Sequence, residues 1–455
     1  MKLTLFILTL LLAGKPTLLQ QTSTKTISVL SKEHELRFNI KIINKEEKNY
    51  KNAVNEIINF NEMDLKTIKN DIIKSDAIRD IFLSHNSLKK IPHILDHVTY
   101  LSYLNLSHNN INLYEANQIV HSNLRVLDLS NQRTNVILET EMETFEETED
   151  IYKRLIFNTT KIRLPNLEYL NLCENDLSAF SWDFNLSFPK LIRLDLCKIN
   201  AIELESNFFY KISTSLRVLH LENNHFRNFT LQNVGEITSL YLDGNIVETL
   251  FINSTKLRIL SLYNCTNLSN GIFETPYLEQ LDLSRNDFGN RRTDGSIIRF
   301  ERFPSSLKVL LLDYNKLAYV PILTNLQWLN ELSLCYNMIK FIKPNTFMYL
   351  TSLTKLSLKG NKIERLEKEN LSGLEKVEYL DLSKNQLSYL PIDWASSLLN
   401  LQHLNLNSNQ FGSISEMGIY SISSLKYLFV RNNTFNKITT LEIEPLPDFI
   451  TIYLA

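Results

Sequence analysis

Glycine is scarce in this chain, with 10 in 455 residues, about 2% against the ~7% of ordinary proteins. No two glycines stand closer than Gly289 and Gly295, or Gly412 and Gly418. A GxGxxG dinucleotide turn, a GxxxxGK phosphate loop and a GxSxG nucleophile elbow all need tighter pairs, so none can be written here. Excess charge of one sign is lacking too. The net charge is −2, which argues against a nucleic-acid binder with its basic stripe. After the first residues no apolar run reaches the ~20 residues of a membrane helix, and the last residues lack a GPI-type tail. No nucleophile–base pair, metal cluster or phosphate cradle stands out, so the sequence predicts no enzyme, no cofactor and no bound metal. What remains is a folded-protein composition, 44% apolar and 22% charged, with apolar mass for a large core and no disorder signature.

The N-terminus reads as an address. Lys2 precedes the run Leu3 to Ala13, in which only Thr4 and Thr9 are polar, and polar sequence follows Lys15. That is the layout of a secretory signal, and the run is too short to span a bilayer. Residues 1–22 are therefore expected to be removed, leaving a secreted, extracellular chain with no membrane span.

Self-similarity dominates the rest. From Ile78 to Leu425 the pattern LxxLxLxxNxL recurs fifteen times, at spacings of 20 to 29 residues apart from one of 43 between Leu124 and Leu167. The ninth position is Asn in twelve copies, from Asn86 to Asn433; Gln132, Ile199 and Cys265 depart from it. A degenerate turn precedes the array at Ile58, Phe60 and Leu65, and a half turn follows at Phe449, Ile452 and Leu454. The xLxL segment alternates at period two, so it predicts a strand with one buried face. One strand cannot bury that face alone, and stacked neighbours build one parallel sheet and one continuous core. The ninth Asn turns the chain away from the strand, and its amide satisfies backbone groups that burial would otherwise orphan.

These fifteen copies, covering about residues 55–455, resemble the leucine-rich repeat family in its 24-residue extracellular form, which also builds Toll-like receptor ectodomains and secreted recognition proteins. The resemblance implies an α/β solenoid, a curved horseshoe with a parallel sheet on the concave face and loops or short helices on the convex face. Family ectodomains usually carry cysteine-clustered caps at both ends, and neither end here has a cysteine. Residues 23–54 are expected to cap the core instead, and the alternation Leu36, Phe38, Ile40, Ile42 predicts a capping strand or hairpin.

An insertion at about 135–160 accounts for the 43-residue spacing. It carries Glu139, Glu141, Glu143, Glu146, Glu147, Glu149 and Asp150, a solvated acidic loop, a docking loop for a basic partner or a weak calcium site, though without EF-hand-like spacing. His93 and His97 stand at i, i+4 without a third ligand, and His85 and His108 share one position on adjacent turns, so no metal site is predicted from either pair. Nine N-x-S/T sequons occur, a number chance alone supplies. The signal peptide makes their use expected, and Asn158, Asn185, Asn228, Asn253 and Asn370 fall on return segments where a glycan has room.

Cys173 and Cys197 both occupy position seven on consecutive turns. In-register parallel strands put their Cα atoms about 4.8 Å apart, inside the disulfide window of about 4.4–6.8 Å, and a secreted chain favours the bond. The alternative is two free thiols whose Cβ vectors run too parallel to meet. Cys265 reads as core, and Cys335, at position seven without a partner, reads as facing the concave surface.

Positions three, five, seven and eight point outward from the sheet. The middle turns fill them with His220, Tyr241, Tyr263, Leu311, Tyr314 and Tyr336, and outward tyrosines are common interface anchors. Tyr379, Tyr427 and Phe429 form a competing C-terminal patch. By resemblance the chain is a non-catalytic recognition protein, binding a protein or glycoconjugate through its concave face in innate immunity or cell-surface recognition. An extracellular-matrix organiser and a truncated receptor ectodomain are the other readings. A homo- or heterodimer through the C-terminal turn or Cys335 is a further expectation.

Overall fold

The computed structural model describes residues 23–30, 35–42, 56–68, 78–93, 98–113, 119–133, 162–177, 183–204, 208–232, 235–265, 268, 270–289, 303–435, 438–447 and 449–454. The signal segment 1–22, the acidic residues between 134 and 161 with Asn158, and His97 lie outside them. The contacts divide the chain into two compact units. One comprises residues up to 136 with 161–167, and the other continues from Glu168.

In the first unit, Ser23–Leu30 and Glu35–Ile42 form an antiparallel hairpin, where the alternating residues pointed to one. Its second strand lies against Glu56–Asn59. That strand begins a parallel ladder continued by Ile78–Phe82, Tyr103–Asn105 and Val126–Asp128. Ile81, Leu104 and Leu127 stand opposite one another at motif position four and are buried.

The second unit repeats this on a larger scale. One parallel ladder runs without a break from Tyr169–Asn171 to Thr451–Tyr453. Position-four leucines pair directly, as in Leu194–Leu219–Leu240. The leucines at positions one, four and six are inaccessible along most of the array, and each contributes roughly 1.5–3 kcal/mol of burial. The architecture is a parallel-strand solenoid with little helix. The only α-helices among the described residues are the four-residue segments Phe184–Ser187, Phe208–Lys211 and Thr440–Ile443.

Three return segments of this unit are extended among its described residues. Asn228–Gln232, Thr249–Asn253 and Asn270–Glu274 form a second parallel sheet. They belong to the shortest turns, those beginning at Leu216, Ile237 and Leu257, spaced 21, 20 and 21 residues. An extended return uses the fewest residues, and the alternation Phe229/Leu231 and Leu250/Ile252 gives it a buried face. At the other end, the strand of the predicted half turn forms, with Ile452 opposite Leu428. Its first residue departs from expectation: Phe449 is 99% exposed, so it does not fill the position-one slot.

The asparagine column holds the turns together as predicted. Asn361 Nδ2 donates to Leu334 O of the preceding turn and to Leu358 O of its own, while its Oδ1 accepts from Ile339 N. The departures each find a substitute. Gln132 Nε2 reaches Leu106 O and Leu129 O, and its Oε1 accepts from Ile111 N, so the extra methylene is absorbed. Ile199 has no amide, and its backbone carbonyl accepts from Leu177 N instead. Cys265 Sγ donates to Leu242 O at 3.2 Å and accepts from the backbone of Asn245 and Gly244, as a weaker donor and acceptor than an amide. The buried Val247, placed where Phe226 and Ile339 donate to an asparagine Oδ1, faces no such oxygen. Cys265→Asn is expected to stabilise the protein by about 1 kcal/mol in a denaturant titration; a loss of stability would show that the slot cannot hold an amide.

Position eight has a left-handed backbone in all fifteen motif turns, with φ between 52° and 72°. Only Gly244 and Gly360 are glycine there. Left-handed geometry costs a non-glycine residue roughly 1–2 kcal/mol. The ladder offsets it with one more interstrand bond, from position-eight N–H to the position-seven carbonyl of the next turn. Examples are His108 N to Ser130 O, Arg285 N to Asp313 O and Lys384 N to Asn407 O.

Candidate recognition surface

The turns lend position eight a second property. Its side chains stand in a column, one per strand, and in the second unit that column reads Arg285, Tyr314, Tyr336, Gly360, Lys384. The Arg285 guanidinium lies 4.8 Å from the Tyr314 ring centroid and 5.6 Å from that of Tyr263. Tyr314 and Tyr336 stack at 4.6 Å, nearly parallel. Lys384 Nζ closes the row 5.6 Å from the Tyr336 centroid. Gly360 makes this possible. A Cβ there would stand 2.6 Å from the Tyr336 ring, so any side chain would push the tyrosine off its stack. Tyr263, Arg285, Tyr314 and Lys384 are exposed, and a cation over an aromatic face adds roughly 0.5–1 kcal/mol at such sites.

The sequence-predicted patch is therefore two stacks rather than one. His220 and Tyr241 stack at 4.3 Å at position five. Tyr263, Tyr314 and Tyr336 join the cation row, and Leu311 stands at position five between Asp282 and Ser333. Arg285, Gly360 and Lys384 are not aromatic, and their place in the row follows from sharing motif position eight with Tyr314 and Tyr336. The C-terminal patch also forms. Tyr427 stacks on His403 at 4.6 Å and Phe429 on Tyr453 at 4.4 Å, while Tyr379 tilts against His403. In the first unit His85 and His108 stack at 4.1 Å.

Beneath the stacks runs a row of carboxylates. Asp195 accepts from Tyr169 Oη at 2.7 Å and pairs with Arg193 at 2.9 Å. His220 Nδ1 lies 2.6 Å from Glu222 Oε1. Asp243 Oδ1 accepts from Ser261 Oγ and Tyr263 N, and Asp313 Oδ1 from Ser333 Oγ and Cys335 N. These bonds pin outward residues to the next strand. Burial pushes the Asp243 carboxyl up to about 6, helped by the charges of Glu222 and Asp282 and opposed by its two hydrogen bonds. Burial likewise raises Asp282 and Asp313. A folded-state pKa above the unfolded value means that the folded chain holds this proton more tightly. Charged Asp243 therefore costs stability above about pH 6, and that stability returns as pH falls toward 3.8. Asp243→Asn keeps an accepting oxygen and removes the charge. Its unfolding midpoint is expected to rise most at about pH 7.5, to rise roughly half as much at about pH 5, and to change little only near or below the unfolded value of 3.8. A lower midpoint at both pH values would contradict the burial argument.

Cys173 and Cys197 are disulfide-bonded with Cα atoms 4.6 Å apart. Cys265 is buried, and burial pushes its thiol up to about 12. Cys335 corrects the sequence reading. It is 9% exposed, with Ser333 Oγ at 3.2 Å and Ser357 Oγ at 2.9 Å, and burial with the Asp313 charge raises its pKa. A thiol sealed between strands does not serve as an intermolecular link. Asn370 is corrected too. It is 8% exposed, its Nδ2 donates to Ile342 O and its Oδ1 caps Glu367 N, so the amide is already engaged inside the turn. Asn185 and Asn228 are exposed, and Asn253 is half-buried with Nδ2 on Glu274.

No group of three metal-ligating side chains that could hold an ion occurs among the described residues, nor does a helix long and apolar enough to cross a membrane. Residues 327–387 match the family model described as "Leucine rich repeat" and residues 400–421 one described as "Leucine Rich Repeat". No curated protein sequence matches the chain. Similar solved structures include a leucine-rich repeat protein of Leptospira interrogans, 23% identical over 87% of this chain and 94% of that one, with a TM-score of 0.51. A chain of the TLR13–ssRNA13 complex is 16% identical with a TM-score of 0.50; the match covers 87% of this chain and spans only 62% of that one. A chain of the mouse RP105/MD-1 complex is 20% identical over 86% of this chain and 73% of that one, with a TM-score of 0.51. At these identities the likeness is one of fold. The repeat motif, the in-register ladder and the matched segments agree: the fold is that of a leucine-rich repeat solenoid, and residues 327–387 and 400–421 match leucine-rich repeat models.

Proposed function

We propose that this is a secreted, non-catalytic recognition protein that binds a protein or glycoconjugate partner across the outward face of the second unit's ladder. The observation that carries the reading is the row Tyr263, Arg285, Tyr314, Tyr336 and Lys384, held in one line by the strand register. Tyr and Arg are the residues most often found at binding hot spots. Held face to face in a stack, they have little side-chain freedom left to lose on association. The carboxylate row beneath, with a net charge of −2, disfavours a phosphate backbone, so a protein surface is the better fit. Two structural neighbours were solved as complexes, one with ssRNA and one with MD-1, which supports a binding role for this architecture. Innate immunity is the setting the resemblance offers, and Asn185, Asn228 and Asn253 are the sequons a secretory route would glycosylate. The test is affinity capture from the native extracellular fluid followed by titration of the captured partner. Saturable, competable binding supports the reading. Polymer association that never saturates overturns it in favour of a matrix organiser.

A further inference from the structure

On the flank of the second unit, away from the tyrosine row, lies a cleft of about 440 Å³, within the size range of small-ligand sites. We propose that this cleft binds an acidic sugar, a pyranose ring carrying a carboxylate, as part of a glycan. Its walls are set by the repeat. Tyr277, Ser306 and Trp328 each precede motif position one, on three consecutive turns whose strands pair as Gln280–Val309–Glu331. Two strand spacings separate the two aromatic side chains by about 10 Å, with only a serine between them. Tyr277 is 55% exposed and Trp328 61%, so both rings stand free of the core. Arg258, from the preceding turn, covers one face of Tyr277 at 5.0 Å and leaves the face toward Ser306 open.

The gap selects the ligand by thickness. A flat aromatic ring with about 3.5 Å of contact on each side fills only about 7 Å. A puckered pyranose with axial hydrogens fills more and offers apolar C–H groups to both rings. The floor and lip are polar. Ser306 Oγ bonds Leu278 O, and Asn330 Nδ2 bonds Ser352 O at 3.3 Å; Ser305 adds an exposed hydroxyl. The charges do not cancel. Glu279 faces Lys308 at 2.9 Å and Arg258 at 3.9 Å, two cations against one carboxylate. One positive charge remains for a ligand carboxylate, while Glu279 keeps both cations oriented.

The test is titration of the purified protein with three probes: a hexasaccharide of alternating glucuronate and N-acetylglucosamine, a neutral N-acetylglucosamine hexamer, and uridine monophosphate. The acidic hexasaccharide should bind saturably and at least tenfold more tightly than either of the others. Trp328→Ala and Tyr277→Ala should each weaken it tenfold or more without moving the unfolding midpoint, since both rings are exposed. Lys308→Glu should weaken the acidic probe and leave the neutral one unchanged. The variant lacking the tyrosines of the outward face should bind the sugar as well as the parent does, which separates this site from the proposed partner surface. No saturation at millimolar sugar, equal binding of the neutral hexamer, tighter binding of the nucleotide, or an unchanged Kd in Trp328→Ala would each overturn the proposal.

Discussion

Asn337→Ala is expected to lower the unfolding free energy by at least about 3 kcal/mol. Asn337 is 5% exposed. Its Nδ2 donates to Leu312 O at 2.9 Å and Leu334 O at 3.0 Å, and its Oδ1 accepts from Asn315 N at 2.9 Å and Leu317 N at 3.0 Å. Alanine strands three backbone groups, Leu312 O, Asn315 N and Leu317 N, while Leu334 O keeps its bond from Asn361 Nδ2; each stranded group costs roughly 1–3 kcal/mol where water cannot reach it. Turns contact only their neighbours in such an array, so the damage falls on one interface and propagates along the stack. Asn330→Ala, which removes an exposed amide from the flank of the same turn, is the control and should change little. A guanidinium titration showing a loss below about 1 kcal/mol for Asn337→Ala would mean that the asparagine column does not join the turns.

Opening the Cys173–Cys197 bond is expected to cost about 3 kcal/mol, the chain-entropy value for a loop of this length. The bond closes one turn, with a sequence separation of 24, at the start of the second ladder. The denatured, unreduced protein should take up alkylating reagent at Cys265 and Cys335 only, the two free cysteines. Reduction should expose the other pair and lower the unfolding midpoint. Alkylation of all four without reductant would contradict the pairing. An unchanged midpoint after reduction would show that the neighbouring strands alone fix that turn.

The fold was legible because the residues that define it face inward and recur. Leucine at positions one, four and six and asparagine at nine are dictated by burial and by backbone groups needing partners. The disulfide was legible for the same reason, since register alone brings position seven of adjacent turns together. Residues that break the column needed the structure. Gln132 does the work of asparagine through a longer arm, and Ile199 through its own carbonyl; no rule of residue type reveals either. Cys335 was misread because a small side chain at position seven is covered by the hydroxyls of Ser333 and Ser357, whereas a long one there, such as Tyr263, reaches solvent. Asn370 was misread because its turn tightens into Lys368–Leu371 and takes the amide inside. The geometry of the candidate surface was half legible. Tyrosines announce themselves singly, whereas Arg285, Gly360 and Lys384 gain meaning only from the strand register that lines them up.

The central claim is that the outward tyrosines bind the partner. The direct measurement is the Kd of the captured partner for the variant with Tyr241, Tyr263, Tyr314 and Tyr336 all changed to alanine, against the parent at the same salt and pH. Several hot-spot residues lost together predict a weakening of at least about a hundredfold, with the folded ladder retained by circular dichroism. An unchanged Kd in a stably folded variant would contradict the account.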